Sequence, residues 1–400
     1  MKTAGILCEY NPFHNGHAFQ IAQARENGAD CIVAVMSGHF LQRGGVSVFS
    51  KWTRAEAALF GGADLVLELP AVYACSSAER FAEGGIALLD ALGCVDAVSF
   101  GSESGDIDAH LSAARACLLI ERSPEFQSLL KTGMSYPAAR EKAVRLTCGN
   151  ETAALLTRPN DTLGVEYCKA LLRRQSAIQP ETVLRKAPHD GGGDILAGQA
   201  SGMYLRERIH EAGLTAVQPF VPQKARALYE RSLSAGHALI DTGRLELMLL
   251  HTLRTMSKAD FAKLPDVTEG LENRLYTAAQ AACTIEEFYA AVKTKRYTHS
   301  RIRRIAHYAL LGLRQEDFAL TPTYIRVLAA NAKGMELLRL ARKTAALPCI
   351  TSFKRAAHCR IAEIERRATD LYMLALPRPR PTGADFTQNI ILHLAKTADV

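Results

Sequence analysis

The chain has 400 residues, of which 48% are hydrophobic and 22% charged, the proportions of an ordinary soluble globular protein with two or three domains. No apolar run reaches membrane-spanning length, and the N-terminus lacks the pattern of a signal peptide. The ten cysteines are scattered without a Cys-x-x-Cys pair, so we expect reduced thiols in a cytoplasmic protein with no membrane contact. The net charge of +7 permits a nucleic-acid partner without requiring one.

Short apolar runs alternate with helical patterns over the first half of the chain. Strands are predicted at the start of the segment 4–20 and at 31–37, 64–70, 96–101 and 180–186, and helices at 15–27, 51–61, 77–92, 107–120 and 161–174. This alternation predicts an α/β fold with a doubly wound, Rossmann-like parallel sheet. Right-handed crossovers place the carboxyl ends of all parallel strands along one edge, where ligands bind.

The first strand, turn and helix carry the pattern His14-Asn15-Gly16-His17. Two imidazoles, a glycine and the free N–H groups of a helix N-terminus together favour a bound polyanion. The pattern resembles the His-x-Gly-His signature of nucleotidyltransferases, in which both histidines contact ATP phosphates. A chance pair of surface histidines is the alternative. We expect no metal site, because no cluster of Cys and His with ligand spacing accompanies the pair.

Cationic side chains follow the second predicted strand. The glycine-bounded loop 38–45 carries Arg43, and Lys51 opens the next helix. Fixed cations beside a phosphate site suit a triphosphate and its pyrophosphate leaving group, although a solvated basic surface has the same sequence pattern.

Four later segments add candidate contacts. The small residues of 101–106 could lie against adenine or ribose, or form a plain turn. Asn160 lies at the start of a predicted helix, where it could contact a ligand or serve only as the helix cap. Arg185 directly follows the fifth strand, before a glycine triplet at 191–193 that predicts a mobile loop, and Ser201 opens another helix.

From about residue 214 the helical patterns dominate, at 223–235, 243–255, 269–283, 285–293, 299–314, 324–333, 334–345 and 353–374. We therefore predict a catalytic, ATP-binding domain over 1–213 and a mostly helical domain over 214–400. Pro219 and Pro222 are the expected joint, and an irregular tail starts at Pro377.

The helical part is strongly basic. Residues 291–360 contain fifteen Lys and Arg against three Asp and Glu. Clustered cations with an interleaved Tyr297 and His299 suit an RNA backbone beside an unstacked base, whereas a solvated helix surface usually alternates in sign. The predicted RNA-binding residues are Lys293, Lys295, Arg296, Arg301, Arg303 and Arg304.

Several of these motifs together resemble one family, the bacterial tRNA(Met) cytidine acetate ligases. The most specific is the run Glu9-Tyr-Asn-Pro-Phe-His-Asn-Gly-His17. Further matching segments lie at 36–38, 42–44, 51–52, 63–70, 100–103, 159–160, 163–164, 269–274, 293–298 and 324–328. The resemblance spans roughly residues 3–340.

The resemblance implies that the protein uses ATP and acetate to acetylate N4 of the wobble cytidine of elongator tRNA(Met), with Mg²⁺ expected as the ATP counter-ion. It implies ATP contacts from Leu7, Cys8, Glu9, Tyr10, Asn11, Pro12, Phe13, His14, Asn15, Gly16, His17, Ala18, Phe19, Gln20, Gly101, Asn160 and Arg185. The family tends to have Ser-x-Thr-x-Ile-Arg where this chain has Ser201-Gly-Met-Tyr-Leu-Arg206, so Met203 removes one hydroxyl contact to phosphate.

We expect a ligase that first forms acetyl-adenylate, releasing pyrophosphate, and then transfers the acetyl group, releasing AMP. His14 and His17 are the expected catalytic residues, and Arg43, Lys51, Ser201 and Arg206 are candidate phosphate contacts. Two alternatives stay open: an adenylyl- or cytidylyltransferase acting on a small phosphorylated metabolite, and a non-catalytic RNA-binding protein with a relic ATP pocket. The sequence does not indicate an oligomeric state.

Overall fold

The computed structural model describes residues 1–185, 193–194, 198–268, 270–356 and 358–394, with backbone alone for 193–194. The loop predicted to be mobile at 191–193 therefore lies, apart from Gly193, outside the described residues. No helix in the described part of the chain is long and apolar enough to cross a membrane.

Twelve strands are found in the described residues. They are β1 Thr3–Cys8, β2 Cys31–Ser37, β3 Phe40–Leu41, β4 Gly45–Val46, β5 Leu65–Leu69, β6 Ala97–Ser102, β7 Gln179–Leu184, β8 Gly193–Asp194, β9 Gln199–Ala200, β10 Ile325–Asn331, β11 Cys349–Ile350 and β12 Ile391–His393. Eight of them form one sheet in the order β11-β10-β5-β2-β1-β6-β7, with β12 paired to β10. The pairs among β5, β2, β1, β6 and β7 are parallel, and β10 is antiparallel to β5.

Helices cover both faces of this sheet and form most of the second half. They are α1 Asn15–Glu26, α2 Lys51–Phe60, α3 Ala71–Ala74, α4 Ala78–Leu92, α5 Ile107–Ile120, α6 Pro124–Lys131, α7 Tyr136–Cys148, α8 Asn150–Leu155, α9 Pro159–Arg174, α10 Gly202–Ala212, α11 Gln223–Ser234, α12 Thr242–Thr255, α13 Lys258–Ala262, α14 Leu271–Ala281, α15 Ile285–Val292, α16 His299–Leu311, α17 Ala332–Thr344, α18 Arg360–Leu374 and α19 Ala384–Thr387. Short 3₁₀ helices lie at Leu214–Phe220, Gln315–Ala319 and Phe353–Ala356.

The pleat of the central strands divides the core into two layers. In β2, Val33 and Val35 pack into one apolar cluster, whereas Ile32 and Ala34 pack into the other, on the opposite face. Because both faces are covered, the central strands are apolar at nearly every position, as expected of a buried parallel sheet. The predicted doubly wound sheet is thus confirmed, and its predicted strands and helices in the first half are present.

One predicted helix is wrong. Most of the segment 324–333 is not helical: Ile325–Asn331 is strand β10, which lies beside β5 in the central sheet, and only the last two residues belong to a helix, α17. A short apolar run such as Ile-Arg-Val-Leu-Ala-Ala fits a buried strand and a buried helix equally well by periodicity. The predicted tail after 377 likewise contains α19 and β12. The second half is therefore mostly helical but completes the sheet of the first, and the boundary at 213 stays a prediction.

Candidate active site

The turn after β1 is held rigidly by polar groups from neighbouring strand ends. The guanidinium of Arg54, which is fully buried, donates to the carbonyl oxygens of Glu9 at 2.5 Å and Ser37 at 3.1 Å. The side-chain oxygen of Asn11 accepts from the N–H of Val48 at 2.8 Å. These bonds tie the turn to the end of β2 and to the start of α2, so α1 begins at a fixed point at the carboxyl edge of the sheet.

His14 and His17 sit together at the N-terminus of α1. His14 is the N-cap residue, and its Nδ1 accepts from the N–H of Gly16 at 3.1 Å. The Nδ1 of His17 accepts from the N–H of His14 at 3.3 Å. The two rings lie in contact, with centroids 3.7 Å apart and planes tilted by 31°. Because both Nδ1 atoms accept, each neutral ring carries its proton on Nε2, ready to donate to a ligand.

The surroundings keep both imidazoles neutral. Burial, followed by the positive charges of Arg185 and Arg206, lowers the pKa of His14 to about 3. Burial and the neighbouring His14 hold the pKa of His17 well below its ordinary value. The pair therefore offers two N–H donors without fixed charge, while the two arginines supply the positive charge of the site.

The histidines line a cavity between α1 and the ends of β6 and β7. Of the predicted ATP-binding residues, seven line it: His14, Gly16, His17, Phe19, Gln20, Gly101 and Arg185. Leu7, Cys8, Tyr10, Pro12 and Phe13 are buried beneath the turn, and Asn15 donates to the carbonyl oxygens of Gly198 and Pro219. Ala18 is half-buried on α1.

Four lining residues are missed by the sequence analysis: Val183, Leu184, Gln199 and Ala200. Val183 and Leu184 end β7, so the rule that ligands bind at carboxyl ends of parallel strands could have found them. No comparable signal marks the two-residue strand β9. A side chain at Gly101 would lie 3.2 Å from Cγ of Arg185, which shows how closely that arginine packs over the strand end.

A second helix N-terminus, that of α10, lies beside the same turn. The side chain of Ser201 caps α10 by accepting from the N–H of Tyr204 at 3.2 Å. Arg206 donates to the carbonyl oxygen of Asn11 at 2.9 Å, which places its guanidinium against the β1 turn. Met203 is 53% exposed. Ser201 and Arg206 are thus close to the cavity, as a phosphate-binding role requires.

Asn160 is held by a carboxylate next to the cavity. Its side chain donates to Glu103 at 2.8 Å, and the same carboxylate accepts from the backbone N–H groups of Asn160 and Asp161. Glu103 therefore caps α9 directly after β6. This arrangement fixes Asn160 near Gly101 but leaves its amide nitrogen bonded to protein, so its contact with ATP stays a prediction.

The two cations predicted after β2 have different positions. Arg43 is exposed at the tip of the β3–β4 turn, and its charge, together with the larger effect of burial, lowers the pKa of Arg206. Lys51 is fully buried, with its Nζ 2.5 Å from Glu68 and 2.8 Å from Asp385. The expectation that Lys51 contacts phosphate is corrected, because its charge is already neutralised inside the core.

The basic cluster of the second half is only partly available. Lys293, Lys295 and Arg303 are exposed, and Arg296 is half-buried. Arg301 bonds to the carbonyl oxygen of Asp266 at 2.6 Å. Arg304 is 8% exposed and 3.7 Å from the carboxylate of Asp266. The expectation that Arg304 binds RNA is therefore corrected, since burial and pairing withdraw its guanidinium from the surface.

Comparison with known proteins gives concordant matches over nearly the whole chain. The family model described as HIGH Nucleotidyl Transferase matches residues 1–385. A tRNA(Met) cytidine acetate ligase of Thermoanaerobacter sp. (strain X514) is 37% identical over 98% of this chain and 100% of its own, and one from Acetivibrio thermocellus is 35% identical with the same coverage.

Solved structures agree. A crystal structure of Thermotoga maritima TmcAL bound with alpha-thio ATP has a TM-score of 0.90 and 34% identity, covering 99% of this chain and 100% of that chain. The apo form has a TM-score of 0.91 with the same identity and coverage.

Proposed function

The chain belongs to the tRNA(Met) cytidine acetate ligase family of HIGH nucleotidyl transferases, and we propose that this ligase uses ATP and acetate to acetylate N4 of the wobble cytidine in elongator tRNA(Met). The observation that carries the proposal is the close pair of His14 and His17, with both Nε2 donors at a helix N-terminus. In the proposed division of labour, 1–213 binds ATP and 214–400 binds tRNA.

The first step activates acetate. A carboxylate oxygen of acetate attacks the α-phosphorus of ATP, the bond to the β,γ-diphosphate breaks, and acetyl-adenylate forms with release of pyrophosphate. Negative charge grows on the non-bridging oxygens at this moment. The Nε2–H groups of His14 and His17, with the N–H groups of α1, would donate to those oxygens more strongly in the transition state than before it.

Cations around the cavity would hold the leaving diphosphate. Arg206 and Arg43 lie on the side of the β1 turn where α10 begins, and Arg185 packs at the strand end. Among the described residues, no group of three or more His, Cys, Asp and Glu could hold a metal. We propose that Mg²⁺ would serve as the counter-ion of the ATP phosphates.

The second step transfers the acetyl group. The N4 amine of the cytidine attacks the acetyl carbonyl carbon, the bond to the AMP phosphate breaks, AMP leaves and the amine loses a proton. Exposed cations of the second half, Lys293, Lys295 and Arg303, would bind the RNA backbone, with Arg296 and Arg301 beside them. The activated acetyl group is needed because the exocyclic amine is conjugated with the ring and weakly nucleophilic.

One experiment tests the whole proposal. The protein is incubated with ATP, labelled acetate and total bacterial tRNA, and the tRNA is then digested to nucleosides. We expect label in N4-acetylcytidine and one AMP per acetyl group, with no label when ATP is omitted. A dinucleotide-like product would instead support a nucleotidyltransferase acting on a metabolite. ATP binding without turnover on any tRNA would support an RNA-binding protein with a relic pocket.

A further inference from the structure

A small hairpin lies between the ATP-binding turn and the basic helix α16. Strands β3 and β4 pair antiparallel, with Phe40 opposite Val46 and Leu41 opposite Gly45. The turn between them carries Arg43 and Gly44. Neither ATP binding nor tRNA binding by itself explains why this hairpin contacts both halves of the chain.

On one side the hairpin is bonded to the turn after β1. The backbone N–H of Gln42 donates to the carboxylate of Glu9 at 2.8 Å. Just past β4, the N–H of Val48 donates to Asn11 at 2.8 Å. Arg54, which holds the carbonyl oxygen of Glu9, also donates to that of Gly38. The hairpin therefore cannot move without disturbing the segment that leads into His14.

On the other side the hairpin rests on α16. The ring of Phe40 meets the ring of His307 edge to face, with centroids 5.8 Å apart. Gly44 has a φ of +72°, and a Cβ built on it would lie 2.6 Å from the backbone nitrogen of Arg304 and 2.7 Å from the carbonyl carbon of Arg303. The contact is backbone against backbone, so no flexible side chain can give way.

We propose that the hairpin sets the distance between the ATP-binding turn and α16, and that Gly44 is the positioning residue of this contact. Only glycine lets the turn adopt a positive φ and touch the helix backbone at once. This inference rests on the proposed function: tRNA bound by the exposed cations in and just before α16 must place N4 about 3–3.5 Å from the acetyl carbon. The hairpin connects those two sites through short, rigid contacts.

The test compares two adjacent glycines. Because the hairpin is bonded to the β1 turn, the new methyl group of Gly44→Ala must push α16 away by roughly 1 Å to reach ordinary contact distance, and a displacement of that size costs up to about a hundredfold in rate. In the matched control Gly45→Ala the Cβ meets nothing within 4 Å. Gly44→Asn carries the same Cβ but tolerates a positive φ, which separates displacement from backbone strain.

Two half-reactions are measured for each variant. Acetate-dependent exchange of label between pyrophosphate and ATP needs no RNA. Single-turnover transfer from enzyme-bound acetyl-adenylate to tRNA needs the proposed ATP-binding and tRNA-binding parts of the chain together. For Gly44→Ala and Gly44→Asn we expect exchange within about twofold of wild type and transfer at least about tenfold slower, with KM for tRNA little changed because the exposed cations remain. Gly45→Ala should match wild type in both.

Three results would overturn the inference. The rates of exchange and transfer could fall together in both Gly44 variants, the transfer rate could be unchanged in both, or transfer could be slow in Gly44→Ala and normal in Gly44→Asn. The first would mean that the hairpin supports the ATP site or the fold, and the last would assign the effect to backbone strain. Failure of the proposed function itself looks different, since the wild-type protein would then acetylate no tRNA.

Discussion

Two groups of charged side chains adjoin the same sheet, one around a cavity and the other enclosed in the core, and they differ in whether each cation has an ion-pair partner. In the proposed ATP cavity, His14 and His17 lie near Arg185 and Arg206. Burial lowers the pKa of each arginine despite the charges of Glu103 and Glu9, and the described residues include no carboxylate within ion-pair distance of either one. Between β5, α2 and α19, Lys51 and Arg326 lie among three carboxylates: Glu68, Glu365 and Asp385.

In the second group both cations have ion-pair partners. Although burial alone would lower it, Asp385 and Glu68 raise the pKa of Lys51. Burial and the neighbouring Glu68 hold the pKa of Glu365 well above its ordinary value, so this carboxyl takes up a proton more readily than a free one. A matched buried cluster holds the chain together, whereas an unmatched group of donors and cations is suited to a ligand anion.

The largest expected effect is a loss of stability when Lys51 is replaced. Lys51→Met should lower the free energy of unfolding by about 3–5 kcal/mol, because it leaves buried carboxylates without their cation. Denaturant unfolding measures this. Arg43→Met is the control and should change stability by less than about 0.5 kcal/mol, since Arg43 is exposed. Normal stability with weakened ATP binding in Lys51→Met would restore a phosphate role for this lysine and break the comparison.

Substitution of the histidines should affect chemistry more than folding. His14→Ala or His17→Ala should slow acetyl-adenylate formation by about a hundredfold or more, because each removes a donor to the charge developing on the α-phosphate. His210→Ala, at an exposed position on α10, is the control. The rates are measured by acetate-dependent pyrophosphate exchange, with a melting curve for each variant. Near-normal exchange in a folded variant would exclude the phosphate role.

Neutralising the exposed cations should weaken tRNA binding. Replacing Lys293, Lys295 and Arg303 together by Gln should make the negative slope of log K against log salt shallower by about 2. The reason is that each lost phosphate contact lowers the number of counterions released by about 0.7–0.9. Binding is measured at several salt concentrations. A control carries the same charge change at the exposed cations of the first half, Arg122, Lys131 and Lys142. Equal slopes in the two triple variants would remove the RNA assignment from this surface.

The smallest effect is a pH dependence of stability. The pKa of His14 is about 3 in the folded chain and about 6.5 when unfolded. Between these values the unfolded state binds more protons, so stability falls as the pH is lowered through 6.5 toward 3. From pH 7 to pH 5.5 His14 should contribute about 1 kcal/mol to the loss of stability, and the loss should be smaller by that amount in His14→Ala, in which the contribution of His17 remains. Equal losses in the two proteins would show that His14 is protonated in the fold.

The sequence by itself determined the features that depend on neighbouring residues. Apolar runs between amphipathic helices predicted the parallel sheet, and the spacing around Gly16 placed His14 and His17 at the start of α1. Cap, turn and strand signals are local, so a single chain segment suffices to read them.

Only the tertiary structure decided which cations face a ligand. Lys51 and Arg43 are equivalent cations in the sequence, yet Lys51 meets carboxylates from β5, α18 and α19, and Arg43 meets solvent. Arg303 and Arg304 are adjacent on α16, but one is exposed and the other buried against Asp266. The role of a charged side chain is set by its burial and by partners remote in the sequence, because desolvation must be balanced by a specific opposite charge or by a ligand.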